Sequence, residues 1–382
     1  MTVYNKATLH NLYIYHEVEE ACNKHYLSTE IAEVIKKAHP VDLYIPNLFV
    51  KIGLAVLTSF ICLCVVALLA LLLNINGTPA VFLIFTGACC YAMLEVMTGK
   101  KKHYNSGADN ALMVATVILI VTGIMFDYNG VRFELLVSLV TFFICLWLAI
   151  RFTDSLAAIA SIIAFMSFAF YAYVSMGPIA LSTFPFLLII ISGLLYYFSH
   201  KRVVSSPKLI YAKVWNATSV IALLAMYFWG NFYIVNSLTE EILHSNTKPL
   251  SPSWFFWVWT FALPVLYLIK GIKDKDLLLM RAGTLLIGMS ILTWRYYYSI
   301  LTVEAAMLTA GMILMGIGYL FMHYLRSPRY GFVFDNNTVK ENKFGNLEAF
   351  AIGQMHRTNN AEVPETQFGG GSFGGAGAGT KY

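Results

Sequence analysis

Seven polar residues stand inside or at the ends of long apolar runs, where a membrane or a dry core tolerates them only for a reason: Glu95, Asp127, Arg132, Glu134, Asn231, Arg295 and Glu304. Glu95 lies about one helical turn before Lys100, Lys101 and Lys102. That spacing predicts a carboxylate that pairs with a lysine or snorkels to it, the alternative being a proton- or cation-binding carboxylate. Asp127, Arg132, Glu134, Arg295 and Glu304 all end or begin apolar runs. Gathered into one desolvated vestibule, two carboxylates flanking an arginine would bind an anion or amine, or work as an acid–base pair. Ion pairs capping the ends of spans are the plainer reading of the same five. Asn231 follows Trp229-Gly230, a glycine that interrupts a run among aromatics, and Asn216 lies earlier in that run. An amide so placed hydrogen-bonds across to a neighbouring helix or lines a cavity.

Metal and nucleophile chemistry find less support. His10, His16, Cys22 and His25 match no zinc spacing, and five of the six cysteines fall within apolar runs, where they serve as small hydrophobes. There is no phosphate loop, no HExxH and no nucleophile elbow. The sequence therefore predicts no catalytic residue, no cofactor and no metal ligand.

The elements that must position the polar residues are set by composition. Of the 382 residues 58% are hydrophobic and 12% charged, whereas soluble domains carry about 45–50% and 25%. So much apolar surface cannot be buried in a water-soluble fold of this size, which predicts an all-α polytopic membrane bundle. Ten runs meet or approach the ~20 residues needed to cross ~30 Å of hydrocarbon: 52–73, 78–97, 111–126, 133–150, 156–174, 179–198, 214–235, 254–269, 277–294 and 303–324. On one side of the alternating loops lie Lys100, Lys101, Lys102, Arg151, Lys201, Arg202, Lys208, Lys213, Lys270, Lys273, Lys275 and Arg281, which makes twelve; on the other lie Arg132, Lys248 and Arg295, which makes three. Lys and Arg stay cytoplasmic, so both ends of the chain are expected inside. Trp254, Trp257, Trp259, Trp294 and Tyr296–Tyr298 would form the outer aromatic belt. The net charge of +5 is what this orientation requires and points to no nucleic acid.

Three segments follow. Residues 1–47 read as a cytoplasmic helical hairpin whose second helix, 29–38, has Ser28 as N-cap and is closed by Pro40. Residues 48–325 form the ten-span domain, with the first span expected to act as an uncleaved insertion signal. Residues 326–382 read as a polar and Gly-rich cytoplasmic tail, disordered because glycine this dense cannot offset its backbone entropy. Gly283, Gly288, Gly311, Gly316 and Gly318 predict close packing of the last two spans. Ten spans divide into five plus five, and an odd number per half would make the halves inverted, as in many carriers, although no residue-level repeat is visible.

The block from Asn11 to Ile31, containing His16-Glu17-Val18-Glu19-Glu20 and His25-Tyr26-Leu27-Ser28, followed by a span opening Lys51-Ile52-Gly53-Leu54-Ala55, resembles bacterial multi-pass membrane proteins of the DUF2157 type, a family of unknown function. The turn His25-Tyr26-Leu27-Ser28 replaces that family's usual Gly-Leu-Ile. The resemblance implies a cytoplasmic helical hairpin ahead of a many-span bundle in a bacterial inner membrane. It transfers no functional residue. Function is then expected to be that of a non-enzymatic scaffold or regulatory component, meeting the lipid bilayer along its spans and a protein partner through its hairpin or tail. A five-plus-five carrier of a small solute is the alternative, and a lipid- or glycan-modifying enzyme using the outer acidic group comes third.

Overall fold

The computed structural model describes residues 2–23, 26–73, 79–127, 133–205, 210–243 and 253–298, with scattered positions between 302 and 323. Among these it is all-helical, and one isolated bridge joins Tyr44 to His103. The helices are α1 (Lys6–Asn23), α2 (Thr29–Ala38), α3 (Leu48–Leu72), α4 (Pro79–Gly99), α5 (Ala108–Asp127), α6 (Phe133–Phe152), α7 (Ser155–Val174), α8 (Pro178–Ser205), α9 (Ala212–Phe228), α10 (Phe232–Leu243), α11 (Ser253–Asp274) and α12 (Leu277–Tyr297).

Eight helices are long and apolar enough to cross a membrane, and α9 with α10 make a ninth if the bent pair is one span. Their surface fits a lipid environment. On α3 no residue is buried, and Val56, Leu57, Phe60 and Leu63 point outward uncovered. A row of large apolar side chains of this size is incompatible with water on every side. Nine of the ten expected runs thus coincide with described helices. The tenth, together with the Gly-rich tail, belongs to a second compact unit from Val303 on, most of which lies outside the described residues.

Helices pack as successive hairpins, α4 on α5, α6 on α7, α8 on α9 and α11 on α12. Small residues let the first pair approach: a Cβ on Gly87 would meet Ile120 at 2.7 Å, and one on Gly123 would meet Ile84 at 2.8 Å. Gly283 does the same work against Leu268 and Pro264 of α11. Gly283 thus packs on the preceding helix, while the partner glycines expected for it and Gly288 belong to the second unit, Gly318 lying outside the described residues. Two of the hairpins close on the same two-residue turn. Thr153 and Lys275 adopt φ of +52° and +55°, and the next residue, Asp154 or Asp276, caps the returning helix through Ala157 N–H (2.8 Å) or Leu278 N–H (2.9 Å).

The α4–α5 and α6–α7 turns and the start of α9 gather at one end, where the N-terminal segment and α1 dock on them. Tyr4, Leu9 and Leu12 are buried in one cluster with Leu94, Tyr104, Leu148, Phe152 and Ala157, and Ile210 and Val214 pack against it. We call this the hairpin end.

Candidate functional site

Glu95 projects from α4 to Arg151 on α6. Arg151 Nε donates to Oε1 at 2.9 Å and Nη2 to Oε2 at 3.0 Å, a bidentate fork that matches carboxylate geometry. Tyr91 Oη donates to Oε1 at 2.8 Å and receives Trp147 Nε1–H at 2.9 Å. The partner is therefore an arginine 56 residues away rather than the lysine cluster one turn on. Lys102 instead pairs with Asp42. The fork ties α4 to α6 just where Val3 N–H donates to the Arg151 carbonyl at 3.1 Å, so it also braces the docked N-terminus.

The outer residues fall only partly within the described residues of the first unit. Asp127 is the last residue of α5, Arg132 lies outside the described residues, and Glu134 is exposed in the first turn of α6, where an acid favours the helix dipole. Arg295 is in the last turn of α12, which packs chiefly on α11 and α9, whereas α6 packs chiefly on α7 and α5. Its Nε is buried without a hydrogen-bond partner among the described residues. Glu304 is exposed in the separate second unit.

Asn231 sits at the break between α9 and α10, where the axis turns by 69°. Buried to 2% exposure, it donates to Tyr227 Oη (2.9 Å) and Thr293 Oγ1 (3.0 Å). Its Oδ1 accepts from the backbone N–H of Tyr233 (3.0 Å) and Ile234 (3.3 Å), and so caps the helix that restarts there. Tyr227 Oη also meets Ser290 Oγ at 3.0 Å, Ser290 donates to the Thr260 carbonyl at 2.7 Å, and Thr260 Oγ1 accepts from Phe232 N–H at 3.1 Å. Trp259 closes the break, its Nε1–H on the Met226 carbonyl at 3.1 Å. The network links α9, α10, α11 and α12 and spends both amide hydrogens of Asn231 internally.

The hairpin end carries a second polar group that residue patterns did not single out. Asp109 is buried and accepts from Ser106 N–H (2.8 Å), Ser106 Oγ (3.1 Å) and Asn110 N–H (3.0 Å), while His103 Nδ1 lies 2.8 Å from Ser106 Oγ. The Ser106-x-x-Asp109 spacing is a capping-box pattern, the sequence signal that would have found it. Asp109 and Asp154 both line a cavity of about 30 Å³ with Tyr4, Thr98 and Lys213, room for a single water. Burial, then the charge of Asp109, holds the Asp154 carboxyl above its ordinary value, against its backbone hydrogen bonds and Lys51. Burial likewise pushes the Tyr4 phenol up. Lys102 and Asn105 in the same turn adopt φ of +56° and +50°, so strained backbone and buried acids coincide here.

Among the described residues no three His, Cys, Asp or Glu side chains converge to hold a metal ion. His10 and His16 instead line a larger cavity between α1 and α9. No family model, curated protein or solved structure matches the chain.

Proposed function

We propose that the protein is a ten-span component of a bacterial inner membrane with both ends in the cytoplasm, a non-enzymatic regulatory or scaffold protein whose working surface is the hairpin end. The observation that carries this reading is the docking of α1: Tyr4, Leu9 and Leu12 are buried against residues of α4, α6 and α7, so a partner that engages the hairpin also loads the spans. Lys100–Lys102, Arg151, Arg202 and Lys213 sit at that end, which supports its cytoplasmic side. The order of a hairpin ahead of the bundle also agrees with a DUF2157-type kinship. On α2, Ile31 and Val34 are 53% and 68% exposed beside Lys36 and Lys37, a face suited to a protein partner. A photo-crosslinking residue at Val34 in living cells should give discrete protein adducts that vanish when Leu9→Asp undocks α1. Adducts unchanged by Leu9→Asp, or to lipid alone, would end this reading.

A carrier is the second reading, favoured by the discontinuous span at Trp229–Asn231, since broken helices frame substrate sites in many carriers. It requires water to reach the break. In a background lacking the native cysteines, Asn231→Cys should then react with a membrane-impermeant thiol reagent, and complete protection counts against transport.

A further inference from the structure

Between α1 and the first turn of α9 lies a cavity of about 720 Å³, enough for a phospholipid headgroup or a small phosphate ester. Leu9, Leu12, Ile210 and Ala212 make one part of its wall apolar. The rest carries Lys6, His10, His16 and Lys213 against a single acid, Glu17. Helix geometry explains this division. Lys6, His10, Tyr13 and Glu17 follow one another at intervals of four, three and four residues, a polar stripe beside the Leu9 and Leu12 face that docks on the bundle.

The cations of this wall are not spent on each other's neutralisation. Among the described residues neither Lys6 nor Lys213 makes an ion pair, and Lys213 Nζ stands 5.3 Å from the centre of the Tyr104 ring. Burial and then the charge of Lys213 hold His16 below its ordinary imidazole value, with Glu19 opposing. An apolar wall, unpaired cations and a position at the start of a membrane-crossing helix together fit an anion whose remaining part is uncharged or apolar.

We infer that this cavity binds a phosphate-bearing ligand, its phosphate held by Lys6, His10, His16 and Lys213, supplied by an anionic lipid headgroup of the adjoining leaflet or by a soluble phosphate ester. Occupancy bridges α1 to α9 and so tightens the docking of the hairpin. The inference stands apart from the protein partner proposed above, since it concerns the inner side of α1 and not the outer face of α2.

The test uses the full chain in nanodiscs. Adding phosphatidylglycerol to phosphatidylcholine discs should raise Tm by several degrees, on the order of 5 °C for a site held well above its Kd. Lys213→Ala and His10→Ala should each remove most of the rise, Lys213→Arg should keep it, and Lys101→Ala, equally basic but outside the cavity, should leave it intact. An equal rise in phosphatidylcholine discs on adding glycerol 3-phosphate assigns the same chemistry to a soluble ester. No rise with either probe overturns the inference, as does a rise that is the same in wild type, Lys213→Ala and His10→Ala. Should Lys213→Ala fail to fold, His10→Ala decides, because its side chain is on the exposed edge of α1.

Discussion

The break at Asn231 and the hairpin end are comparably rich in polar groups, yet they spend them differently. At the break, Asn231, Tyr227, Ser290, Thr293 and Thr260 satisfy one another, and Trp259 closes the gap. At the hairpin end, cationic side chains line a large cavity, a raised carboxyl faces Asp109, and three non-glycine residues hold left-handed backbone. Polarity within or beside a span is thus a poor indicator of a site when taken alone. Charged side chains not committed to internal partners are the better one, because a ligand can engage them without breaking a hydrogen bond of the fold.

The sharpest way to break this comparison is Gly230→Ala. A Cβ there would fall 2.1 Å from Trp259 Cδ1 and 2.2 Å from its Nε1. The indole would have to leave the Met226 carbonyl and disturb its contact with Phe255, whose ring centre is 5.5 Å away. We expect a loss of about 3 kcal/mol in unfolding free energy, read by denaturant titration in detergent, with the phosphatidylglycerol response of the hairpin end intact. A neutral Gly230→Ala would show the break to be loose, and the contrast would fall.

Glu95→Gln comes next in size. It keeps the shape of the side chain but removes the counter-charge of Arg151. Breaking one partner of a fully buried pair costs about 3–5 kcal/mol, and these side chains are 27% and 28% exposed, so about 2 kcal/mol is expected. The double-mutant cycle with Arg151→Gln should give a coupling of at least about 1 kcal/mol, on the order found for close charged pairs. Coupling near zero would free Glu95 from its role as a brace and return it to the functional carboxylates.

Much of the architecture was legible in the sequence because it is local. Ser28 and Pro40 bound α2 as expected, with Ser28 Oγ accepting from Ile31 N–H at 3.5 Å. Nine apolar runs became helices, and the glycine before Asn231 marked the interruption that the structure shows as a 69° bend. What escaped is non-local. Charge spacing pointed Glu95 at the nearby lysines, whereas tertiary packing brings Arg151 to it across two helices. Asp109 and Asp154 were not singled out by residue type or spacing, since only the docking of α1 and the convergence of two turns bury them. The cavity of Lys6, His10, His16 and Lys213 needs α1 laid against α9, which no periodicity within either helix foretells.

The smallest effect tests the hairpin end from within. Asp154 caps α7 and its folded pKa is raised, so its contribution is fully stabilising only below the unfolded value of about 3.9 and is lost as pH rises through the folded value. At neutral pH the ionised carboxylate therefore carries a penalty. An asparagine in its place would accept the same Ala157 N–H without ionising, so Asp154→Asn should match or exceed wild type by up to about 1 kcal/mol at pH 7, an advantage that disappears near pH 4. Asp154→Ala, which loses the cap, should cost about 1 kcal/mol at both pH values. Paired Tm measurements decide. If the asparagine variant proves as costly as the alanine variant at pH 7, the negative charge itself is in use, and Asp154 joins Lys213, which lines the same small cavity, as part of a working site rather than a cap.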